Sequence, residues 1–275
     1  MRDATITFPM FGEGFAFNPP RSFSLFGIAI HFYGLIIAAG FVLAMFYVMR
    51  RAEAFKLTSN DIVDVLFFCV PLGIVCSRLF YVLFSGNLSH YLQNPLQMIT
   101  GIRTGGLAIF GAVIGAVLGA YLGGRRKKLN VWSILDVGCL GILIGQIIGR
   151  WGNFINRELY GRETQLPWRM GLTVGEQTKY VHPTFFYESL WNTVGFVLLH
   201  LYTKHRERAY PGQIFLMYLG WYGLGRVWVE AVREPEQNLF LFGTGIPVNM
   251  LIAALCVIGA IVVNYVITRR RSSED

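Results

Sequence analysis

The sequence predicts an all-α polytopic membrane protein of seven transmembrane helices, with the N-terminus outside and the C-terminus cytoplasmic. Three observations predict it. Charged residues are 15% of the chain and hydrophobic ones 54%, with a mean hydropathy of +0.48, whereas soluble domains carry roughly 25% charged residues. Apolar stretches of roughly 20 residues, the length that crosses a bilayer core, recur seven times. Clusters of Lys and Arg follow every second stretch, which sets a cytoplasmic side.

In chain order the stretches are about 27–48, 62–84, 104–123, 131–150, 184–203, 213–232 and 247–267. In lipid a single strand leaves its backbone groups unpaired, so each stretch is read as a helix. Arg50, Arg51 and Lys56 follow the first; Arg125, Arg126, Lys127 and Lys128 follow the third. Lys204, Arg206 and Arg208 follow the fifth, and Arg269, Arg270 and Arg271 the seventh. All four clusters fall on one side of a seven-span arrangement, and a missed helix would scramble that agreement. The chain, 1–275, is read as a single membrane domain with its longer connections outside: the N-terminal segment carrying "FPMFGEGFAFNPP", and loops at about 85–103, 151–183 and 233–246. The first residues lack the basic, apolar and small-residue pattern of a cleavable signal peptide, so the first span is expected to stay in the mature protein.

The net charge of +8 does not point to nucleic acid, because the basic residues sit in short clusters between apolar runs. Cys69, Cys76, Cys139 and Cys256 all lie inside apolar stretches without metal-ligand spacing. They read as buried small side chains, and neither a metal nor a cofactor is implied. Gly111, Gly115, Gly119 and Gly123 in the third span, and Gly141, Gly145 and Gly149 in the fourth, recur every four residues. Such stripes let helix backbones approach closely. The short "GRRKKLN" loop makes these two spans antiparallel neighbours.

Ionisable groups inside spans are costly and mark candidate function. Tyr222, Arg226 and Glu230 are spaced i, i+4, i+8 in the sixth span and share one helix face. Arg150 ends the fourth span and opens the stretch "GRWGNFINRELYG", which adds Asn153, Asn156, Arg157 and Glu158. Snorkelling to the interface explains one arginine but not that density. Arg78 lies one to two turns from the outer end of the second span, and snorkelling remains open for it. Asp61, Asp64 and Asp136 near the cytoplasmic side read as caps or interhelical pairs. His31 and Tyr33 lie near the outer end of the first span, and His182 precedes Pro183, which fixes a helix start. Glu188 within the fifth span requires a cation, and an arginine of the outer cluster is the natural one.

His31, Arg78, Arg150, Glu188, Tyr222, Arg226 and Glu230 come from five spans, and all fall in the outer half of the bilayer or near its outer boundary. A channel requires polar residues along its whole length, and a transporter near the midplane, often within a repeat; neither pattern is present. No G-x-S-x-G stretch supports a serine hydrolase, and no aspartate-rich metal motif supports a CDP-alcohol phosphotransferase. One-sided arginine chemistry at headgroup depth suits a lipid phosphate.

"GRWGNFINRELYG" resembles the signature of the bacterial prolipoprotein diacylglyceryl transferases, Gly-Arg-x-Gly/Ala-Asn-Phe-apolar-Asn-x-Glu-x-x-Gly. Gly149, Arg150, Gly152, Asn153, Phe154, Ile155, Asn156, Glu158 and Gly161 match it. "HFYGL", "SRLFYVLF", "GGLAIFG", "HPTFFYE" and "YGLGRVWVEAVREPE" resemble further family blocks, in order along nearly the whole chain. The resemblance implies transfer of the diacylglyceryl group of phosphatidylglycerol to the lipobox cysteine of a preprolipoprotein, giving a thioether and glycerol phosphate. It implies residence in the bacterial cytoplasmic (inner) membrane, with the active site towards the outer leaflet. It implies catalytic roles for Arg150, Arg226, Glu158, Asn153, Tyr222, Glu230 and His31. Phosphatidylglycerol contacts are expected from Arg150, Arg226, Asn156, Tyr33, Arg78 and His182. The chain departs from the family at Phe110, where histidine or tyrosine is usual, so no proton acceptor stands there. Glu158, Glu230, His31 and Tyr222 remain the candidates. Gly152 is expected to let the backbone turn at the membrane surface.

Overall fold

The computed structural model describes residues 4–12, 14–101, 105–235 and 247–272. A helix of at least 18 residues overlaps each predicted stretch: α1 (Phe32–Arg51), α2 (Ser59–Phe84), α5 (Ile109–Arg126), α6 (Val131–Asn156), α7 (Thr184–His205), α8 (Gln213–Val232) and α9 (Val248–Ser272). Two short helices, α3 (Leu88–Gln93) and α4 (Leu96–Thr100), lie between α2 and α5. Among the described residues, four helical segments are long and apolar enough to cross a membrane: Phe32–Phe55, Ser59–Phe84, Val131–Asn156 and Val248–Arg271.

The chain divides into two compact units, Met1–Tyr47 with Cys139–Asp275, and Val48–Gly138. In the second, α2 opens with a capping box: Thr58 Oγ1 accepts the Asp61 N–H at 3.1 Å, and Asp61 accepts the Thr58 N–H at 2.8 Å. Asp64 pairs with Lys127 at 2.5 Å. Both aspartates thus do the capping and pairing expected of them. The glycine stripe of α5 is a packing face, but its partner is α2 rather than the fourth span. A Cβ at Gly119 would lie 2.5 Å from Cys69 Cα, and one at Gly111 2.7 Å from Ser77 Cα. Two apolar helices in lipid gain nothing from hiding hydrophobic surface, so close backbone approach supplies their association.

In the first unit, α1 packs on α6 through small residues. A Cβ at Gly40 would meet Ile148 at 3.3 Å, and one at Gly149 would meet Ile37 at 3.3 Å. Gly152 corrects the sequence reading. The helix does not turn there but runs on to Asn156, and the missing Cβ makes room for the Tyr33 ring, 2.7 Å from where it would stand.

The expectation of an all-α chain is also corrected, because the described residues of the N-terminal segment and of the stretch between α6 and α7 carry two small antiparallel sheets. The first span begins at Phe32 rather than near 27, since β3 (Ile28–His31) pairs with β2 (Ser22–Leu25). Phe26 and Gly27 both take positive φ at its two-residue turn, the geometry of a type I′ hairpin. The loop expected at 151–183 contains β4 (Met170–Val174) and β5 (Gln177–Val181), joined through Gly175 at φ +61°. The N-terminal β1 (Thr5–Thr7) adds to β4, giving the order β1-β4-β5. Ala4, Ile6, Phe154, Met170, Leu172, Val181 and Phe185 form the buried core beneath this sheet. Arg157 fastens the N-terminal segment: its Nε donates to Ala4 O at 3.1 Å and its Nη2 to Pro19 O at 2.9 Å. Of the expected loop 233–246, residues 236–246 lie outside the described residues, as do residues 102–103 of the 85–103 loop.

Overpacking the α2–α5 contact should be costly. Gly119→Ala is expected to lower stability by about 1–3 kcal/mol, read as a fall in thermal midpoint in detergent. Gly138→Ala in α6, with open space beside it, should leave the midpoint unchanged or slightly raised.

Candidate active site

The C-terminal ends of α6 and α8 and the first turns of α7 bring five charged side chains together. Glu188, on the first turns of α7, is 7% exposed. Its Oε2 lies 2.6 Å from Arg150 Nη2 and 3.5 Å from Arg226 Nη1, and its Oε1 lies 2.9 Å from Arg233 Nη2. Glu230, 1% exposed, meets Arg226 Nη2 at 2.8 Å and Arg233 Nε at 3.8 Å. Its other oxygen accepts from Asn249 Nδ2 of α9 at 3.3 Å. The i, i+4 spacing of Arg226 and Glu230 thus makes the pair the sequence predicted, and Glu188 has the arginine partner it required. Three guanidiniums face two carboxylates, which leaves one positive charge in excess.

Beside this core, Arg150 Nη1 donates to Asn153 Oδ1 at 3.3 Å. Asn153 Nδ2 donates to Glu158 Oε1 at 2.8 Å, and Asn156 Nδ2 reaches the same oxygen at 3.4 Å. The motif therefore folds as a relay: an arginine, an amide held by it, and a carboxylate held by two amides. Glu158 stands just beyond the helix end, where Arg157 takes φ +54°. Tyr33 of α1 lies over Gly152, within electrostatic reach of Glu158 and Arg150. Tyr222 lines a small cavity together with Glu188, Trp191 and Arg226.

Arg233 is the residue that sequence reasoning missed. It falls one position beyond the sixth span, yet it is 3% exposed. Its spacing, three after Glu230 and seven after Arg226, placed it on the same helix face and was the available signal. Gly161, the last residue of the motif, holds it in place. A Cβ there would stand 2.6 Å from His182 Cβ and 2.7 Å from Val232 O. Gly161 N–H donates to His182 O at 2.9 Å, and Arg162 N–H to Val232 O at 2.8 Å. The end of α8 is thereby knitted to the motif.

Three further predicted residues have settings of their own. His31 is exposed, on β3 of the N-terminal hairpin. His182 Nδ1 lies 3.2 Å from the Tyr187 hydroxyl, which accepts from Trp168 Nε1 at 2.8 Å. Burial pushes the His182 pKa down, so the ring is neutral at pH 7. Arg78, in the other unit, is 6% exposed and clasped by backbone carbonyls. Nε donates to Met98 O at 2.7 Å, Nη2 to Gln97 O at 2.9 Å, and Nη1 to Gly106 O at 2.9 Å and Gly105 O at 3.2 Å. Tyr81 and Tyr91 flank it at 5.4 and 5.5 Å. Phe110 packs near Phe80, with ring centroids 6.0 Å apart. Among the described residues no group of His, Cys, Asp and Glu is arranged to hold a metal.

Apolar helices of membrane-crossing length with a buried, cation-rich cluster at their ends define a membrane protein with an anion-complementary site. The profile of the prolipoprotein diacylglyceryl transferases matches residues 20–266. Proteins named phosphatidylglycerol–prolipoprotein diacylglyceryl transferase are similar along nearly their whole length. The Bacillus cytotoxicus protein is 36% identical over 255 residues, covering 89% of this chain and 90% of its own. The Clostridioides difficile protein is 36% identical over 255 residues (92% and 97%), and the Enterococcus faecalis protein 36% over 259 (91% and 90%). The chain belongs to the prolipoprotein diacylglyceryl transferase family.

The cluster depends on its central carboxylate. Glu188→Gln leaves three buried guanidiniums against one carboxylate, and is expected to destabilise the protein by about 3–5 kcal/mol. Glu163→Gln, whose side chain is 72% exposed and 3.8 Å from Lys179, should cost no more than about 1 kcal/mol. Chemical denaturation in detergent compares the two.

Proposed function

We propose that this transferase moves the diacylglyceryl group of phosphatidylglycerol onto the lipobox cysteine of a preprolipoprotein, as the first step of lipoprotein maturation. The observation that carries the reading is the pair Arg150 and Arg226 joined across one buried carboxylate, Glu188. The protein crosses the bacterial cytoplasmic membrane seven times, N-terminus outside, and the pair faces the outer leaflet. Alternation of the basic clusters supports that orientation.

The phosphodiester arrives with one negative charge, which suits the three guanidiniums that Glu188 and Glu230 hold together. The cysteine sulfur attacks the terminal glycerol carbon of the diacylglyceryl group, and the C–O bond to phosphate breaks. The leaving glycerol phosphate gains a second negative charge. Guanidiniums preorganised at that oxygen stabilise the transition state more than the ground state, and the low dielectric of the site strengthens the effect. Arg150 and Arg226 take this role, with Tyr222 lining the cavity beside Arg226. Glu188 and Glu230 hold the arginines and are committed to them.

The thiol proton must go to a base, and Phe110 offers none. Of the four candidates, Glu230 is enclosed by Arg226, Arg233 and Asn249, His31 stands on the exposed hairpin, and Tyr222 is a phenol. Glu158 is held by two neutral amides, Asn153 and Asn156, and we assign it the proton. Charge then balances locally: the carboxylate loses one negative charge as the phosphate gains one. Tyr33 closes the site over Gly152. His182 and Arg78 act by fixing the segments they bind.

The test uses purified protein, phosphatidylglycerol and a lipobox peptide, read by mass spectrometry. A diacylglyceryl thioether on the peptide cysteine is expected, and no adduct under conditions where a known family member works would contradict the reading. Arg226→Lys keeps charge but loses the two-pronged fork, and is expected to lose about 100-fold in turnover. Full activity in that variant would rule out bidentate phosphate binding.

A further inference from the structure

Two tryptophans, deep in helices that the transfer chemistry does not itself require them for, interlock beneath the charged cluster. Each helix carries the pattern Trp-x-x-x-Gly: "WNTVG" at 191–195 in α7 and "WYGLG" at 221–225 in α8. The indoles of Trp191 and Trp221 stack with centroids 4.3 Å apart and planes 17° apart. Trp191 Nε1 donates to Trp221 O at 3.0 Å, and Trp221 Nε1 donates to Trp191 O at 3.1 Å.

The glycines explain how an indole reaches a helix carbonyl at all. The carbonyl of residue i already accepts the N–H of residue i+4, and the side chain of i+4 leans back over it. With glycine at that position the carbonyl is bare. A Cβ at Gly225 would collide with Trp191 Nε1, and one at Gly195 with Trp221 Nε1. Each indole thus fills a notch in the other helix, and the two bonds fix both sliding and rotation of α7 against α8.

The lock sits directly under the site. Glu188 is one turn before Trp191 on α7, and Arg226 immediately follows Gly225 on α8. Trp191 lines the same cavity as Glu188, Tyr222 and Arg226. Trp191 is further braced by Trp228 at 6.0 Å. A slip of α7 along α8 moves Glu188 away from Arg226, and with it the spacing between Arg226 and Arg150, which the same carboxylate oxygen sets.

We propose that the Trp191–Trp221 pair, with its notches at Gly195 and Gly225, is a positioning device that sets the separation of the two phosphate-binding arginines. The proposal rests on the reading of Arg150 and Arg226 as the phosphate site. A displaced guanidinium pair binds the headgroup less well as well as reacting more slowly, whereas loss of folded protein lowers turnover and leaves KM alone.

The experiment measures kcat and the apparent KM for phosphatidylglycerol in mixed micelles for Gly225→Ala, Trp191→Ala, the double variant and Arg226→Ala. Gly225→Ala is expected to raise KM at least about fivefold and to lower kcat about tenfold, in line with the cost of a roughly 1 Å misplacement. Once Trp191 is alanine, adding Gly225→Ala should change KM less than about twofold, because the indole it displaces is gone. An unchanged KM in Gly225→Ala, or effects that multiply in the double variant, overturns the lock. If Gly225→Ala does not fold, Trp221→Phe keeps a stacked ring and deletes one N–H; a KM rise of about twofold or more supports the lock and an unchanged KM overturns it. An inactive Arg226→Ala beside a normal KM in Gly225→Ala rejects the lock alone, whereas a fully active Arg226→Ala rejects the phosphate site and the lock together.

Discussion

A carboxylate buried at the end of an apolar helix requires cations around it, and Glu188 is enclosed by three. Both of its oxygens are engaged, one by Arg150 and Arg226 and the other by Arg233. Removing a group of this kind from water is expensive, and only close, well-aligned partners repay it. The same arrangement solves the opposite problem for the arginines. Two guanidiniums that must meet one phosphate repel each other, and a carboxylate between them holds them at a fixed spacing before substrate arrives. Preorganisation of this sort lets charge-stabilising groups act without rearranging during the reaction.

The surrounding fold reads as support for that contact. Gly161 lets the motif, the His182 segment ahead of α7 and the end of α8 cross closely enough for Arg233 to turn inward. Gly152 admits the Tyr33 ring against α6. Arg157 fastens the N-terminal segment whose β1 pairs along β4, and the aromatic core of Phe154 and Phe185, with centroids 4.5 Å apart, joins the ends of α6 and α7. In each case the residue in the motif serves either chemistry or the crossing of backbones. Arg150, Asn153 and Glu158 belong to the first kind, and Gly152, Arg157 and Gly161 to the second.

Much of this was legible in the residue order, because helix periodicity is a local property. The stretches of about 20 apolar residues are helices, the i, i+4 spacing of Arg226 and Glu230 is an ion pair at 2.8 Å, and Pro183 precedes the start of α7. What escaped was set by contacts between distant segments. Gly152 looked like a turn, yet its role is defined by a tyrosine more than a hundred residues earlier. Arg233 lay outside the span by length alone, and its burial follows from the bridge between Gly161 and Arg233. The hairpin of β4 and β5 carries only five residues a side, and β1 joins it from the far end of the chain. Arg78 has the look of a membrane arginine awaiting an anion, but its donors are taken by carbonyls of its own loop. No residue pattern distinguishes those two fates, because the acceptors are main-chain carbonyls, which every residue carries.

The central claim is that Arg150 and Arg226 act as one unit through Glu188. A double-mutant cycle on kcat/KM, with Arg150→Ala and Arg226→Ala alone and together, tests it most directly. The account predicts strong non-additivity: once either arginine is gone, the phosphate is no longer clamped and loss of the other costs much less than it does alone. Losses that add within about 0.5 kcal/mol, the behaviour of independent sites, would contradict it.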